Sequence, residues 1–213
     1  MILGSSAALP GSQRHTSGQL LQHHNRFFLI DCGEGTQMQL RRFKMPLMRI
    51  NHVLISHLHG DHYLGLPGLI FTWHLLGRSK KLHVYAPKGL QDIISIQLEV
   101  SQMKLNYPIA FHELSSGNSL IYEDRRLSIE TLEMKHRIPT FGFLFREKPL
   151  PRNIIKSRIE ELKIPVNQMQ AIKAGHDFYR EDGLRVSNHE ITLDPPPPRC
   201  YACCSDTAYT ESF

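Results

Sequence analysis

The sequence has few cysteines and no long apolar run, and each absence excludes a class of protein. Only four cysteines occur among 213 residues, too few for a disulfide-stabilised scaffold. No uninterrupted apolar stretch approaches the roughly 18 residues of a membrane span. The opening residues MILGSSAALPGS lack the basic region of a signal peptide, so we expect a cytoplasmic protein with no membrane partner.

One C-x-x-C pair is present, Cys200 with Cys203, but no second pair completes a zinc ribbon. A zinc or redox site is one interpretation of this pair. The flanking residues CYACCSDT are typical of a buried strand, so we expect core packing instead.

Basic residues outnumber acidic ones, 25 to 20, which gives a net charge of +5. They bunch in two clusters, Arg41, Arg42, Lys44 and Arg49, and then Arg78, Lys80 and Lys81. Such clusters permit a polyanionic partner through phosphate contacts. Most basic clusters are solvated surfaces, so charge alone assigns no function.

Strand and helix patterns alternate along the chain, which predicts an α/β fold. GQLLQHHNRFFLID predicts a hairpin with its turn at HHNR, so the sheet should be mixed. Further strands are predicted at MIL, INHVLISH and KLHVYAP and in the stretch from Ile109 to Phe145. Helices are predicted at EGTQMQLRRFKM, ended by Pro46, at YLGLPGLIFTWHLLG, ended by Gly77, and at GLQDIISIQLEVSQM.

The segment from about 148 to 199 differs in character from the rest. It is rich in charges and prolines, ends in the run PPPP, and contains a predicted helix at RNIIKSRIEELK. We expect a single domain over 1–213, with this segment as an inserted arm, followed by one more strand at RCYACCSD.

Four metal-ligand side chains, His57, His59, Asp61 and His62, stand within six positions at the end of an apolar strand pattern. His57 and His59 alternate by two, so both imidazoles can project to one side, and Gly60 lets the chain turn before Asp61. Imidazole and carboxylate are ligands of catalytic zinc. A coincidental histidine-rich loop is the alternative, but this spacing favours a metal site, with room for two ions side by side.

The stretch SHLHGDH resembles the signature of the metallo-β-lactamase fold, and other segments resemble one family with that fold, ribonuclease Z, the tRNA 3′-processing endonucleases. FLIDCGEGTQMQL is similar to the family's second motif, and its extended DCGEGTQ form is typical of the family. LGSSAALP with RHTSGQLL resembles its first loop, MKHRIPTFGFLF its third metal segment and CSDTAY its fourth. The resemblance implies an αββα sandwich with mixed sheets, and the arm matches in placement only.

The resemblance also implies a site for two zinc ions. One ion would be held by His57, His59, His136 and Asp206. The other would be held by Asp61, His62 and the same Asp206. Asp31 would lie beneath the metals and orient a ligand, with a carboxylate that caps the EGTQ turn as the alternative. Manganese and iron stay open, because imidazole and carboxylate accept all three metals.

The family pattern includes a final histidine ligand and a His-Glu-Ala-Thr element well downstream of the bridging aspartate. Only seven residues follow Asp206, so neither is present. We expect a C-terminally truncated chain, or else a degenerate relative, with the second half of the sandwich incomplete. Its second site should hold zinc weakly.

The implied function is a zinc-dependent endoribonuclease that removes the 3′ trailer from precursor tRNA. A metal-activated water would attack the phosphodiester with Asp61 as general base, the arm would grip tRNA, and the protein would be a homodimer. Two alternatives stay open. One is a phosphodiesterase of the same fold that acts on small substrates, and the other is a catalytically impaired RNA-binding fragment.

Overall fold

The computed structural model describes residues 1–9, 11 and 14–209. The chain divides into two compact units. The main unit comprises Met1–Ile121, Glu130–Leu144 and the residues from Ala202 onward, and the second unit comprises Tyr122–Ile129 and Phe145–Tyr201. The whole of the predicted arm, about 148–199, therefore falls within the second unit. The expectation of one domain that carries this segment as an insertion stays a prediction.

A six-stranded mixed sheet forms the centre of the main unit. Its strands follow chain order in space: β1 Ile2–Gly4, β2 Gly18–His23, β3 Arg26–Cys32, β4 Ile50–Leu54, β5 Leu82–Ala86 and β6 Ile109–Glu113. The first three are antiparallel, and β3 to β6 are parallel. The predicted hairpin and mixed sheet are confirmed. The apolar runs of β3 and β4 are those of strands that have both faces buried.

Helices cover one face of this sheet. They are α1 Thr36–Arg42, α2 Gly60–Tyr63, α3 Gly65–Leu75 and α4 Leu90–Val100. Leu40, Leu69 and Trp73 pack with Leu29 and Val84 of the strands in one core, and all five are fully buried. The first helix ends at Arg42 rather than at Pro46, and a short 3₁₀ turn at Leu47–Arg49 precedes β4.

A second sheet has the strand order β14, β9, β8, β7, with β7 Leu120–Glu123, β8 Leu127–Met134, β9 Thr140–Glu147 and β14 Cys200–Cys203. The Phe141 amide of β9 donates to the Ser56 carbonyl at 3.0 Å, which brings the start of β9 to the end of β4. The strand predicted around Cys200 is confirmed, but the prediction that this strand is buried is wrong. Cys203 is buried, whereas Cys200 and Cys204 are exposed.

The second unit has a small core of its own. Ile164, Ile172, Phe178 and Ile191 are buried together. Around them lie the helices α5 Lys156–Glu161, α6 Val166–Lys173 and α7 Asn188–Ile191 and the antiparallel pairs β10 Asn153–Ile154 with β13 Thr192–Leu193 and β11 Phe178–Tyr179 with β12 Arg185–Val186. The predicted helix is thus shorter than RNIIKSRIEELK. Within the part of the chain that the structure describes, no helix is long and apolar enough to span a membrane.

Arg78 corrects the interpretation of the second basic cluster as a surface for polyanions. The side chain is buried, and its guanidinium donates to the carbonyls of Ile50, Lys80 and Lys81 and to Asn51 Oδ1. It also lies 5.2 Å from the ring centroid of Trp73. Arg78 therefore fastens the start of β4 to the segment before β5.

Replacement of Arg78 by methionine should lower the free energy of unfolding by about 3 kcal/mol, because the carbonyls that Arg78 satisfies would stay buried without donors. The midpoint of urea denaturation, followed by circular dichroism, measures this change. Lys80→Ala is the matched control, since that exposed side chain should change stability by about 0.5 kcal/mol or less. Equal midpoints for the two variants would contradict the assignment.

Candidate metal centre

The ligand-rich segment leaves the sheet at the end of β4 and enters a helix within a few residues. The Ile55 amide donates to the Tyr85 carbonyl at 2.8 Å, so the chain stays extended beyond the strand. His59 is the residue before α2, with extended backbone angles, and Asp61 and His62 lie in the helix itself. Because the backbone changes from strand to helix, the side chains of His57 and His59 point in different directions from those of Asp61 and His62.

Close backbone contacts hold this segment against the two loops before it. A Cβ added at Gly65 would collide with the Gly33 carbonyl, and one added at Gly33 would collide with the Asp61 carbonyl and the Thr16 side chain. Only glycine allows such an approach. The glycines of DCGEG and HYLGL therefore bring the first loop, the end of β3 and the metal segment into contact.

Three histidines form the first donor group. His57 Nε2 lies 3.0 Å from His59 Nδ1, which lies 3.4 Å from His136 Nε2, in the loop between β8 and β9. One nitrogen from each ring falls within 4.8 Å of the others. Asp206 Oδ2 stands 4.0 Å from His57 Nε2 on one side of this group. The structure thus brings together the three histidines predicted for the first ion, with Asp206 beside one of them, His57.

A second donor group lies beside the first and shares one of its residues, His57. His57, His62 and Asp206 each place a donor atom within 4.8 Å of the others. His62 Nε2 lies 3.9 Å from Asp206 Oδ1 and 3.5 Å from Asp61 Oδ2. The two oxygens of Asp206 therefore face different histidines, Oδ2 towards His57 and Oδ1 towards His62. A carboxylate placed in this way can contribute one oxygen to each of two neighbouring ions.

The donor set fits a pair of divalent metal ions. Of the six predicted ligands, Asp206 is exposed and the other five are buried or half-buried. Burial lowers the pKa of His57 to about 4, with a further contribution from the neighbouring His62. Its imidazole is thus neutral near pH 7, which is the form that binds a metal.

The environment of His62 has the opposite effect. Burial by itself would lower the pKa of His62, but the hydrogen bond with Asp31 and the charges of Asp31, Asp61 and Asp206 raise it above the ordinary value. A carboxylate that holds His62 Nδ1 leaves Nε2 directed at Asp61 and Asp206. This is the arrangement that is common behind metal-binding histidines.

Asp31 lies beneath both histidines, and its carboxylate is engaged there rather than at a turn. Its Oδ2 is 2.7 Å from His62 Nδ1 and accepts hydrogen bonds from the Ser17 and Ser56 hydroxyls, while Oδ1 accepts from the Ser56 amide at 2.8 Å. Its backbone has φ +55°, in the left-handed region. The alternative of a cap on the EGTQ turn is wrong, since among the described residues the hydrogen bonds of this carboxylate go to Ser17, Ser56 and His62 and none goes to that turn.

Sequence patterns do not single out the serines of this site. Ser17, Ser56 and Ser205 supply hydroxyl groups around Asp31 and the histidines. Serine is common in loops, so residue type alone carries no signal here. Ser56 directly precedes His57 and Ser205 directly precedes Asp206, and this position is the one sequence feature that could have indicated their role.

Comparison with known proteins agrees with this geometry. Over 209 residues the chain is 43% identical to ribonuclease Z of Bacteroides fragilis, a match that covers 98% of the chain and 69% of that protein. The chain belongs to the ribonuclease Z family. Human tRNase Z, short form, has a similar structure, with 29% identity, a TM-score of 0.65 and coverage of 82% of this chain and 81% of that one.

Two further matches extend beyond ribonuclease Z. Residues 1–155 match the family model described as Anti-Pycsar protein Apyc1. A metallo-β-lactamase fold protein from Bacillus subtilis aligns with a TM-score of 0.53 and 22% identity, over 68% of this chain and 56% of that one. The second match shows the fold alone, and it agrees with the predicted metallo-β-lactamase fold.

Asp31→Asn should lower the pKa of His62, because the charged imidazolium would lose its carboxylate partner while burial still opposes it. Since the unchanged folded protein holds this proton more tightly than the unfolded chain, the pair stabilises the fold at acid pH. This contribution disappears as the pH rises through the folded pKa of His62. An NMR titration of the His62 ring in metal-free protein measures the shift. Asp92→Asn, at an exposed site on α4, is the control, and an unchanged His62 pKa in Asp31→Asn would refute the assignment.

Proposed function

We propose that this chain acts as a metal-dependent endoribonuclease that removes the 3′ trailer from precursor tRNA. The observation that carries the proposal is the pair of donor groups that share His57, one of which includes Asp206, in a chain that is 43% identical to a ribonuclease Z. A substrate with a phosphodiester backbone suits a site of two adjacent cations.

Two zinc ions are the proposed cofactors, with manganese or iron as alternatives. The first ion would bind His57, His59, His136 and Asp206. The second would bind Asp61, His62 and Asp206, since His62 Nε2 faces both carboxylates. Such ions, when bound, neutralise phosphate charge and lower the pKa of water towards neutrality. The neutral imidazole of His57 and the His62–Asp31 pair support this assignment.

Asp61 is the proposed general base. Its Oδ2 accepts a hydrogen bond from the Ala8 amide at 2.9 Å and lies 3.5 Å from His62 Nε2, and the side chain is 13% exposed. The carboxylate is thus held in place at the site while solvent still reaches it. It would take a proton from water as the water oxygen bonds to phosphorus and the bond between phosphorus and the 3′ oxygen breaks, and the leaving 3′ oxygen would take a proton from solvent. The products are a tRNA 3′-hydroxyl and a trailer with a 5′-phosphate.

Asp61→Asn should slow trailer removal by about 100-fold or more, because the amide cannot accept the proton. The assay follows cleavage of a precursor tRNA with a 3′ trailer by the zinc-loaded chain, and chelation of the metal should abolish it. Asp92→Asn is the matched control, since it removes one exposed carboxylate far along the sequence.

A bis-aryl phosphodiester assayed in parallel separates the alternatives. Turnover confined to this small diester would favour a phosphodiesterase of the same fold. Tight tRNA binding without cleavage would favour an RNA-binding fragment. Trailer removal that is lost in Asp61→Asn would favour the endonuclease.

The segment from about 148 to 199, which lies in the second unit, is the proposed tRNA-binding arm. Its charges are nearly balanced, and several arginines are neutralised by acidic partners, as in Arg158 with Glu161, Arg180 with Asp182 and Arg199 with Glu147. The lysines Lys156, Lys163 and Lys173 are exposed and have no such partner among the described residues. They are therefore the cations available for phosphate contacts, which would read the shape of the RNA rather than its bases.

Replacement of Lys156, Lys163 and Lys173 by alanine should weaken precursor tRNA binding and flatten its salt dependence, by about one unit of slope for each phosphate that is no longer neutralised. Filter binding at a series of salt concentrations measures both quantities. Glutamine at Arg158, Arg180 and Arg199 removes the same charge from ion-paired positions and should have less effect. If both triple variants bind RNA with equally reduced affinity, general charge and not the unpaired lysines attracts the RNA.

A cytoplasmic location and a homodimer are the remaining proposals. They rest on the family resemblance, and an arm from one subunit would serve the site of the other. Sedimentation of the purified chain tests the dimer directly.

A further inference from the structure

The hydroxyl group of Ser56 contacts side chains from three of the segments that form the metal site. Ser56 lies between β4 and His57, and it is 1% exposed. Four polar atoms surround its Oγ: Ser205 Oγ at 2.9 Å, Asp31 Oδ2 and His57 Nδ1 at 3.1 Å and His62 Nδ1 at 3.3 Å. These atoms come from three separate parts of the chain, so their protons have to be arranged jointly.

One arrangement of the protons makes every contact of Ser56 Oγ with Asp31, Ser205 and His57 a hydrogen bond. A carboxylate accepts and never donates, so the Ser56 proton goes to Asp31 Oδ2. His62 Nδ1 is closest to the same oxygen, at 2.7 Å, and donates there. Ser205 donates to Ser56 Oγ, which leaves one lone pair on that oxygen. His57 Nδ1–H is the donor that fills it, at 3.1 Å.

We propose that Ser56 is a positioning residue that fixes the tautomer of His57, with the proton on Nδ1 and the lone pair of Nε2 directed into the first donor group. The same hydroxyl ties Ser205, and with it the neighbouring Asp206, to the end of β4. One oxygen thus aligns a ligand that both donor groups share and the segment of the bridging carboxylate. The proposal rests on the metal site of the proposed function.

Ser17 provides a matched control. Its hydroxyl also donates to Asp31 Oδ2, at 2.9 Å, but among the described residues no hydrogen bond joins it to His57 or Ser205. Ser17→Ala therefore removes a hydroxyl from the same carboxylate and leaves the partner of His57 Nδ1 in place. A difference between Ser56→Ala and Ser17→Ala isolates the role of the contact with the histidine.

The first experiment needs no metal. Long-range ¹⁵N–¹H NMR of metal-free protein with labelled histidine distinguishes the two tautomers of His57. The unchanged protein and Ser17→Ala should show the Nδ1–H form, and Ser56→Ala should show a mixture or the Nε2–H form. An Nε2–H tautomer in the unchanged protein, or an unaltered tautomer in Ser56→Ala, would overturn the proposal.

The second experiment measures zinc affinity by competition with a chelator. Ser56→Ala should weaken zinc binding by about 10- to 100-fold, as removal of a partner behind a metal-binding histidine typically does. Ser17→Ala should change it far less, and Ser56→Thr, which restores a hydroxyl, should recover part of the affinity. Equal affinities for Ser56→Ala and Ser17→Ala would overturn the role of Ser56. If the unchanged protein binds no zinc, the proposed function fails, and the tautomer result still decides the assignment of Ser56.

Discussion

The buried carboxylate of Asp31 is the interaction on which the metal centre depends. It accepts from the Ser17 hydroxyl, the Ser56 amide and hydroxyl, and it holds His62 Nδ1 at 2.7 Å. A buried charge is costly unless hydrogen bonds satisfy its oxygens, and here each oxygen has at least one donor. The ends of β2, β3 and β4 are therefore fixed relative to one another by the group that also orients the histidines.

An irregularity at the end of β3 puts this carboxylate in place. Gly18 pairs with Cys32 and Gln19 pairs with Ile30, so Asp31 is an extra residue in the strand and adopts φ +55°. Leu29 and Cys32 both belong to the core under the helices, three positions apart rather than two. The bulge interrupts the alternation of the strand and re-aims one side chain at a site, as bulges beside active sites commonly do.

The parts of the structure with strong local signals were predictable from the sequence. The hairpin of β2 and β3, the helix that ends near Gly77, and the ligand spacing from His57 to His62 each depend on neighbours in the chain. His136 and Asp206 also contact that segment, although His136 is 77 positions from His59 and Asp206 is farther still along the chain from His57. Only the family resemblance indicated these contacts. The role of the Ser56 hydroxyl and the bulge at Asp31 could not be predicted from the sequence. Neither residue type nor hydrophobic periodicity indicates where protons lie or where the strand register shifts.

Charge is the property for which sequence position was least informative. Arg78 and Lys80 stand two residues apart in one basic cluster, yet the first is a buried structural cation and the second is exposed. In the second unit, Arg158 has a carboxylate partner, whereas Lys156, two residues earlier, has none among the described residues. A cation attracts a polyanion only to the extent that the protein has not already neutralised or buried it. The net charge of +5 therefore becomes an argument about a nucleic-acid partner only after each positive side chain has been assigned to the core, to an ion pair or to solvent.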